Sequence, residues 1–387
     1  MSATLNLPGL DGALTPFTFR EAPHWSPPSG PFRSRIAYAA AHVVVDPRRD
    51  VDVFTENAID WESTLAFRRP LWRYGFSVAE AMDTAQRGGG LTWASAQELI
   101  RRALAESRAE GGGIACGAGT DHLVASPTVT IDDVSRAYAE QVGFVEGEGG
   151  RVILMASRAL AKAARSADDY RRVYGDILRQ VQQPVILHWL GDMFDPALAG
   201  YWGTNDLDAA MEVCLDVIRE HSDKVDGIKI SLLDARREVD MRRRLPAGVR
   251  MYTGDDFNFA ELIEGDAKEH SDALLGIFDG IAPVASAALQ ALDAGDVERY
   301  RALLGPTVPL SRHIFKRPTH AYKTGIVFLA YLNGHQSHFR MLGGAESART
   351  AVHLAELIRL ADAAGLIEDV DRAAARAKTV FAAAGIE

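Results

Sequence analysis

The sequence predicts an α/β protein: a (β/α)₈ TIM barrel with an N-terminal hairpin extension and a C-terminal helical segment. Eight short uncharged runs, rich in alanine and β-branched residues, alternate with segments that have the apolar spacing of helices. Such runs are typical of parallel strands buried on both faces. No Gly-x-Gly-x-x-Gly follows any run, and eight units is the number that closes a barrel. These observations favour the barrel over an open doubly wound sheet.

The N-terminal segment, residues 1–33, is predicted to form a hairpin and a connector. Two short alternating runs flank Pro8-Gly9 and Asp11-Gly12, which is the turn chemistry of a β-hairpin. Residues 21–33 contain four prolines and are therefore expected to be irregular.

The barrel is predicted over residues 34–286, and Asp60 and Thr130 are expected to precede two of its helices. Its strands are expected at residues 36–45, 76–82, 113–120, 152–156, 184–190, 225–232, 249–253 and 273–278. Its helices are expected at residues 61–72, 92–108, 131–146, 168–180 and 206–221, in a short segment ending near 244, and at 259–263.

The remaining chain, residues 287–387, is alanine-rich and predicted to be helical throughout. Residues 352–363 and 370–384 are clearly amphipathic, so one face of each helix should be buried. We expect this region to pack on the barrel as a cap or tail.

Composition excludes several classes of protein. Lys plus Arg number 42 against 52 Asp plus Glu, and the net charge of −10 disfavours nucleic acid as a partner. The apolar stretches are too short to span a bilayer, and the N-terminus has neither the basic region nor the apolar region of a signal peptide. Two cysteines cannot form a disulfide framework or a cysteine-based zinc site. We expect a soluble cytoplasmic protein that binds neither nucleic acid nor membranes.

Barrel enzymes place their active sites at the C-terminal ends of the strands, so polar residues there are the candidates. These residues are Asp46, Asp83, Thr84, Thr120, Asp121, His122, Ser157, Arg158, His188, Lys229, Ser231, Thr253, Asp255, Asp256 and Asp279.

Lys229 is the sharpest candidate because it lies between two isoleucines in the sixth predicted strand. Burying an ammonium group is costly unless it is paired or becomes neutral. A neutral lysine amine attacks carbonyl carbons and forms Schiff bases. Two structural interpretations stay open, namely a salt bridge to a carboxylate such as Asp255 and an outward-facing side chain that reaches solvent.

His188 lies in the preceding strand, within plausible reach of the substrate of Lys229, and could transfer protons near neutral pH. A histidine that is only hydrogen-bonded in the core would occur in the same sequence pattern, so this structural interpretation of His188 also stays open. Asp255 and Asp256 could instead cap a helix.

The segments Val225-Asp226-Gly227-Ile228-Lys229 and Gly254-Asp255-Asp256 resemble the dihydrodipicolinate synthase / N-acetylneuraminate lyase family. The likeness extends over about residues 34–345, and its motifs are most specific in strands 5 to 7. It includes Gln183-Pro184-Val185-Ile186-Leu187-His188 and Tyr322-Lys323-Thr324-Gly325. The chain resembles a divergent branch of this family with an N-terminal extension.

The resemblance implies class I aldolase-type chemistry without a cofactor or a metal, in a homo-oligomer that is a dimer or tetramer. Lys229 corresponds to the Schiff-base lysine, and His188 stands where the family has a catalytic tyrosine. In the family's strand-2 loop, Gly-Thr-Thr-Gly-Glu helps bind a keto-acid carboxylate. Here Asp83-Thr84-Ala85-Gln86-Arg87 replaces it and keeps only the type of Thr84. The family's carboxylate-binding arginine falls near Met193, and Arg87 or Arg158 could replace it.

The predicted function is therefore a Schiff-base-forming aldolase, lyase or dehydratase acting on a small oxo-acid or keto-sugar derivative. Catalysis is assigned to Lys229, His188 and Thr84. Substrate binding is assigned to Asp83, Arg158, Ser231, Thr253 and Asp255.

Two alternatives belong to other classes. The first is a metal-dependent TIM-barrel lyase or isomerase that uses Asp121, His122, His188 and Asp255 as ligands. The second is a non-catalytic barrel that binds a ligand as a sensor or an assembly partner.

Overall fold

The computed structural model describes residues 4–21 and 23–386, so residues 1–3 and 22 of the predicted N-terminal segment and residue 387 of the predicted C-terminal region lie outside the described part. The predicted hairpin is confirmed: β1 (Thr4–Pro8) and β2 (Leu14–Thr18) pair antiparallel. The Gly9 amide donates to the Ala13 carbonyl across the turn at 2.9 Å. Successive side chains of a strand point to opposite faces, and Leu5 and Leu7 are the buried face of β1.

Eight parallel strands form a closed barrel, which confirms the predicted fold class. They are β3 (Ala37–Ala40), β4 (Ser77–Glu80), β5 (Ile114–Ala118), β6 (Arg151–Leu154), β7 (Val185–Leu190), β8 (Val225–Ser231), β9 (Arg250–Thr253) and β10 (Asp272–Leu275). Each strand is hydrogen-bonded to its neighbours in chain order, and β10 closes the barrel on β3.

The barrel helices separate the strands as the sequence predicts. They are α1 (Trp61–Ala66), α2 (Arg68–Arg73), α3 (Trp93–Glu110), α4 (Ile131–Gly147), α5 (Arg158–Ala163), α6 (Ala167–Gln180), α7 (Leu207–Glu220), α8 (Ala235–Arg242), α9 (Phe259–Glu264) and α10 (Phe278–Asp293). The expected helix at 61–72 is two helices, since Phe67 both ends α1 and precedes α2. Asp60 caps α1, and Thr130 forms a capping box with Asp133 at the start of α4.

The C-terminal region is helical and packs against the barrel. Its helices are α11 (Val297–Leu304), α12 (Thr307–Phe315), α13 (Tyr322–Asn333), α14 (Ala351–Ala363) and α15 (Val370–Ala383). The predicted domain boundary at 286/287 falls inside α10, which follows the eighth strand and completes the barrel. One continuous apolar cluster joins hairpin, barrel and tail, and includes Leu5, Ala285 and Leu357. Among the described helices, none has the length and apolar character needed to cross a membrane.

The barrel interior has its own small apolar cluster, separate from the layer between strands and helices. Tyr38 and Tyr252 lie in it with their rings edge to face, 6.0 Å between centroids. Ile186 from β7 belongs to this cluster, whereas Leu187 and Trp189 belong to the outer layer. The alternation along β7 therefore identifies which residues point inward.

Candidate active site

Lys229 and His188 both point into the barrel. Along β7, Ile186 points inward, so His188, two residues later, does as well. His188 and Lys229 are partners in the β7–β8 register, and Lys229 is also a partner of the inward-facing Tyr252 on β9. Ile228 and Ile230 belong to the outer apolar layer. The alternative that Lys229 faces outward to solvent is therefore wrong.

The side chain of Lys229 is buried without a salt bridge. Only 4% of the residue is exposed, and within the described residues its amine has neither a hydrogen bond nor a carboxylate within 4.0 Å. Gly254 makes room for it, since a Cβ at Gly254 would lie 2.8 Å from Cε of Lys229 and clash with the Ser231 hydroxyl. The Gly254 amide donates to the Ile230 carbonyl at 3.0 Å, which fixes this close approach. Lys229 is therefore a buried amine inside the barrel that no carboxylate of the described residues pairs with.

His188 is buried next to Lys229 and is neutral. Its Nε2 lies 3.3 Å from the Ser231 hydroxyl, so the predicted residue Ser231 is within the same site. Burial, and secondarily the charge of Lys229, lowers the pKa of His188 to about 3, although Asp83 opposes the shift. The neutral ring carries one donor and one acceptor nitrogen.

Asp83 and Thr84, from the loop after β4, meet Tyr322 at the start of α13. The Tyr322 hydroxyl donates to Oδ2 of Asp83 at 2.9 Å, and it lies 2.8 Å from the Thr84 hydroxyl. Burial alone would raise the pKa of Asp83, but Lys229, His188, Lys323 and the Tyr322 hydrogen bond together lower it to about 2. Asp83 is therefore a carboxylate that balances the positive charge of this site.

A cavity of about 290 Å³ opens next to Asp83 and His188 at the C-terminal ends of the strands. An adjoining cavity of about 320 Å³ shares Asp83, Arg158 and Leu190 with it and is also lined by Lys323. Together they provide a space of small-molecule size with polar groups at its base.

Three cationic side chains line these cavities, but two of them have acidic partners. Arg87 forms a bidentate ion pair with Asp121 and also donates to Gln141 at 2.7 Å. Arg158 pairs with Asp195 and donates to the Gly88 carbonyl at 2.8 Å.

Lys323, the third cation, differs from the two arginines because its amine makes no salt bridge within the described residues. It lies over the Tyr322 ring, 4.6 Å from the centroid. Burial lowers its pKa, while Asp83 opposes this effect. Lys323 is the cation best placed to bind an anion.

The side chains of two predicted substrate-binding residues, Thr253 and Asp255, form hydrogen bonds with groups other than Lys229. Thr253 is on the outer face of β9, where its hydroxyl donates to Glu238 at 2.9 Å. Asp255 accepts from the Phe257 and Asn258 amides at 2.9 and 3.0 Å, which is a capping role and not a salt bridge to Lys229. We include neither of them in the site.

Asp256, the residue after Asp255, contributes to the site in its place. Its Oδ1 accepts from the Ile277 amide at 3.0 Å, and only 4% of the residue is exposed. Burial raises the pKa of Asp256 to about 8, even though the nearby charge of Lys229 acts to lower it. Asp256 is therefore mostly protonated at neutral pH.

The ligands of the metal-dependent alternative do not come together. Asp121 is held by Arg87, His188 faces Ser231, and Asp255 is occupied by backbone amides. In the part of the chain that the structure describes, no group of three or more His, Cys, Asp or Glu residues is arranged to bind a metal ion.

Three residues of the candidate site were given no catalytic or substrate-binding role from the sequence. Tyr322 and Lys323 come from the C-terminal helices, and their one signal was the resemblance in Tyr322-Lys323-Thr324-Gly325. Asp256 was recognised only as a possible helix cap, because sequence does not show which of two adjacent aspartates points inward.

The comparisons with known proteins agree with this architecture. A family model described as "Protein of unknown function (DUF993)" matches residues 5–386. The chain belongs to this family. No curated protein matches the sequence.

Solved structures of dihydrodipicolinate synthase-family proteins share the fold. One is a prophage protein of the dihydrodipicolinic acid synthase family from E. coli K12, solved with pyruvate. It is 14% identical with a TM-score of 0.67, covering 86% of this chain and 99% of that one. Dihydrodipicolinate synthase from Thermotoga maritima is 14% identical with a TM-score of 0.63, covering 87% and 99%. The enzyme from Aquifex aeolicus is 12% identical with a TM-score of 0.63, covering 86% and 99%. The predicted resemblance is thus confirmed for the fold of this DUF993 protein.

Proposed function

We propose that this DUF993 protein is a Schiff-base-forming lyase, aldolase or dehydratase that uses Lys229 as its nucleophile. The observation that carries the proposal is the amine of Lys229, buried inside the barrel without a salt bridge and beside His188. Maintaining such a group is costly for folding and is typical of a functional site. The shared fold with a protein solved with pyruvate, a 2-oxo acid, supports a carbonyl substrate.

The proposed reaction begins when Lys229 gives up its ammonium proton to solvent and the resulting amine adds to the substrate carbonyl carbon. The carbinolamine hydroxyl then takes a proton and leaves as water, which gives a protonated iminium. The iminium accepts the electron pair of a breaking carbon–carbon bond, or of a carbon–hydrogen bond next to it before dehydration. Hydrolysis of the iminium releases the product and regenerates the amine of Lys229. The proposed reaction therefore needs no cofactor.

Proton transfer in this reaction is proposed to use Asp256 together with His188. A carboxyl group with a pKa of about 8 can give and take protons near neutral pH, which suits a general acid–base group. A histidine with a pKa of about 3 is a weak base, so His188 serves better as a neutral hydrogen-bond partner of the substrate oxygen. Thr84 and Tyr322 would position a second oxygen through their linked hydroxyl groups.

The proposed substrate is a small oxo-acid or keto-sugar derivative that carries an anionic group. Lys323 and the half-exposed Arg158 would bind that group in the adjoining cavity. The negative charge of Asp83 next to Lys229 would stabilise the iminium. Cytoplasmic location and assembly into dimers or tetramers stay predictions.

The test is borohydride reduction of the protein mixed with each member of a panel of 2-oxo acids, hydroxy-aldehydes and keto-sugars. Peptide mass spectrometry then locates the reduced adduct. We expect one substrate-sized adduct on the peptide that contains Lys229, and its mass would identify the ligand. Lys229→Ala should abolish the adduct and lower turnover at least about 10³-fold while the circular dichroism spectrum stays normal.

The matched control is Lys378→Met, which removes an exposed lysine and should leave trapping unchanged. Adducts distributed over exposed lysines, or turnover that survives in a folded Lys229→Ala protein, would contradict the proposal. Saturable ligand binding without an adduct or turnover would favour the non-catalytic barrel.

A further inference from the structure

A further pocket lies between α12 and α14 in the C-terminal region, and it shares Ala348 with the adjoining cavity of the barrel site. Its volume is about 490 Å³. The residues that line it are Leu10, His313, Lys316, Pro318, Ala348, Arg349, Thr350, Val352, His353, Glu356 and Arg359. None of them was assigned a role above.

Two histidines form one wall of this pocket, with rings stacked 4.1 Å apart at an interplanar angle of 18°. His313 has both nitrogens occupied. Its Nε2 donates to the His353 carbonyl at 2.9 Å, so its Nδ1 is the acceptor that faces the Lys316 amine at 3.4 Å. The His313 ring therefore holds Lys316 at the edge of the pocket.

His353 differs from His313 because neither of its ring nitrogens has a partner in the described structure, although only 5% of the residue is exposed. A buried polar group without a partner is costly, and a ligand would supply the missing hydrogen bond. Burial, His313, Arg349 and Lys316 lower the pKa of His353 to about 3, so the ring is neutral and offers one N–H donor.

The charges around His353 favour an anion. Arg349 uses its terminal nitrogens on backbone carbonyls, Ile314 among them at 3.0 Å, while its buried Nε has no partner. Neither Lys316 nor Arg349 forms a salt bridge within the described residues. Glu356, the acidic residue of the lining, is paired with Arg359 at 3.2 Å. The pocket therefore carries uncompensated positive charge.

The start of α14 adds to this potential. Thr350 caps the helix, and the positive end of the helix dipole of Ala351–Ala363 lies at the pocket. We propose that the pocket is a binding site for a small oxyanion, a carboxylate or a phosphate group, held by Lys316, Arg349 and His353. This proposal is independent of the Schiff-base reaction, because it uses no residue of the barrel site.

The test is isothermal titration calorimetry of the full chain with inorganic phosphate and, separately, with succinate at matched ionic strength. We expect saturable binding of at least one of them, and the active probe distinguishes a phosphate site from a carboxylate site. Lys316→Met should weaken that binding about tenfold, the size expected for a charge-assisted hydrogen bond. His353→Gln should weaken it as well, whereas Lys268→Met removes an exposed lysine elsewhere and should have no effect.

A second measurement follows the ring C–H resonances of His313 and His353 by NMR, which reports on the pocket itself. They should move on addition of the active probe. Absence of binding by both probes, or binding that persists unchanged in Lys316→Met and His353→Gln, would overturn the proposal. Borohydride trapping at Lys229 would be unaffected by either result, so the two proposals fail separately.

Discussion

At the residue scale, the environment of each side chain determines what it can contribute to the chemistry. His188 and Asp256 are both buried beside Lys229, yet burial keeps the base neutral and the acid protonated. This division gives the site a proton donor near neutral pH without a charged histidine. Because Asp256 is the proton donor and His188 the neutral hydrogen-bond partner, substituting each residue separately tests its role.

Replacing Asp256 by Asn should lower kcat by at least about 10²-fold and remove the fall in kcat/KM that we expect of the wild-type protein as pH rises through about 8. His188→Gln keeps a hydrogen-bonding side chain and should change kcat less, with the pH profile retained. The measurement is kcat and kcat/KM from pH 6 to 9 with the substrate that trapping identifies. A pH profile lost in His188→Gln but kept in Asp256→Asn would assign the proton transfer to His188.

Replacing Lys323 by Met should raise KM about tenfold or more for an anionic substrate and change kcat much less, because a charged contact to the non-reacting end is lost. Lys323 is the cavity cation without an acidic partner in the described residues, unlike Arg87 and Arg158. The measurement is steady-state kinetics with the trapped substrate, with Lys378→Met as the control. An unchanged KM would exclude Lys323 as the anion-binding group.

At the element scale, the barrel site depends on a glycine at the end of β9. Gly254→Ala should push the Lys229 side chain out of position, since the new Cβ would lie 2.8 Å from Cε of Lys229. We expect at least a tenfold loss of kcat and a loss of about 1–3 kcal/mol in the free energy of unfolding. Steady-state kinetics would measure the loss of kcat, and urea denaturation would measure the loss in the free energy of unfolding.

The control for that substitution is Gly143→Ala in α4, where a Cβ meets open space and helix propensity should rise slightly. Full activity in Gly254→Ala would show that the position of Lys229 tolerates the added methyl group.

The elements themselves were largely predictable, because alternating uncharged runs and amphipathic helices report directly on burial. The expected strand at 184–190 is Val185–Leu190, and the expected strand at 225–232 is Val225–Ser231. The side-chain direction of residues that follow a strand was harder to predict from the sequence. Thr253 ends β9 on the outer face. In the turn that follows, Asp255 accepts from the Phe257 and Asn258 amides and Asp256 accepts from the Ile277 amide. Such a turn has no sequence period to reveal it.

At the scale of the whole molecule, the site is completed by the C-terminal region. The Tyr322 hydroxyl bonds to Asp83, a residue 239 positions earlier in the chain. No local pattern predicts a contact of that separation, so the strand-end rule identified Asp83 and Thr84 but not their partner. The tail therefore contributes a side chain to the candidate active site and does not only cover the barrel. Tyr322→Phe should lower kcat in steady-state kinetics. Borohydride trapping should still give the adduct on Lys229, because the amine itself is unchanged.

The buried acid Asp256 also connects the site to the stability of the whole fold. Its pKa is about 8 in the folded protein against an ordinary value of 3.8, so between these pH values the unfolded chain releases a proton that the folded chain keeps. The contribution of Asp256 to the free energy of unfolding should therefore fall as pH rises, by up to about 1.4 kcal/mol per pH unit. In Asp256→Asn this contribution is absent, and its unfolding free energy should decline less between pH 5 and 8 in urea titrations. The exposed-carboxylate control Asp223→Asn should follow the wild type, and parallel profiles for all three proteins would contradict a protonated Asp256.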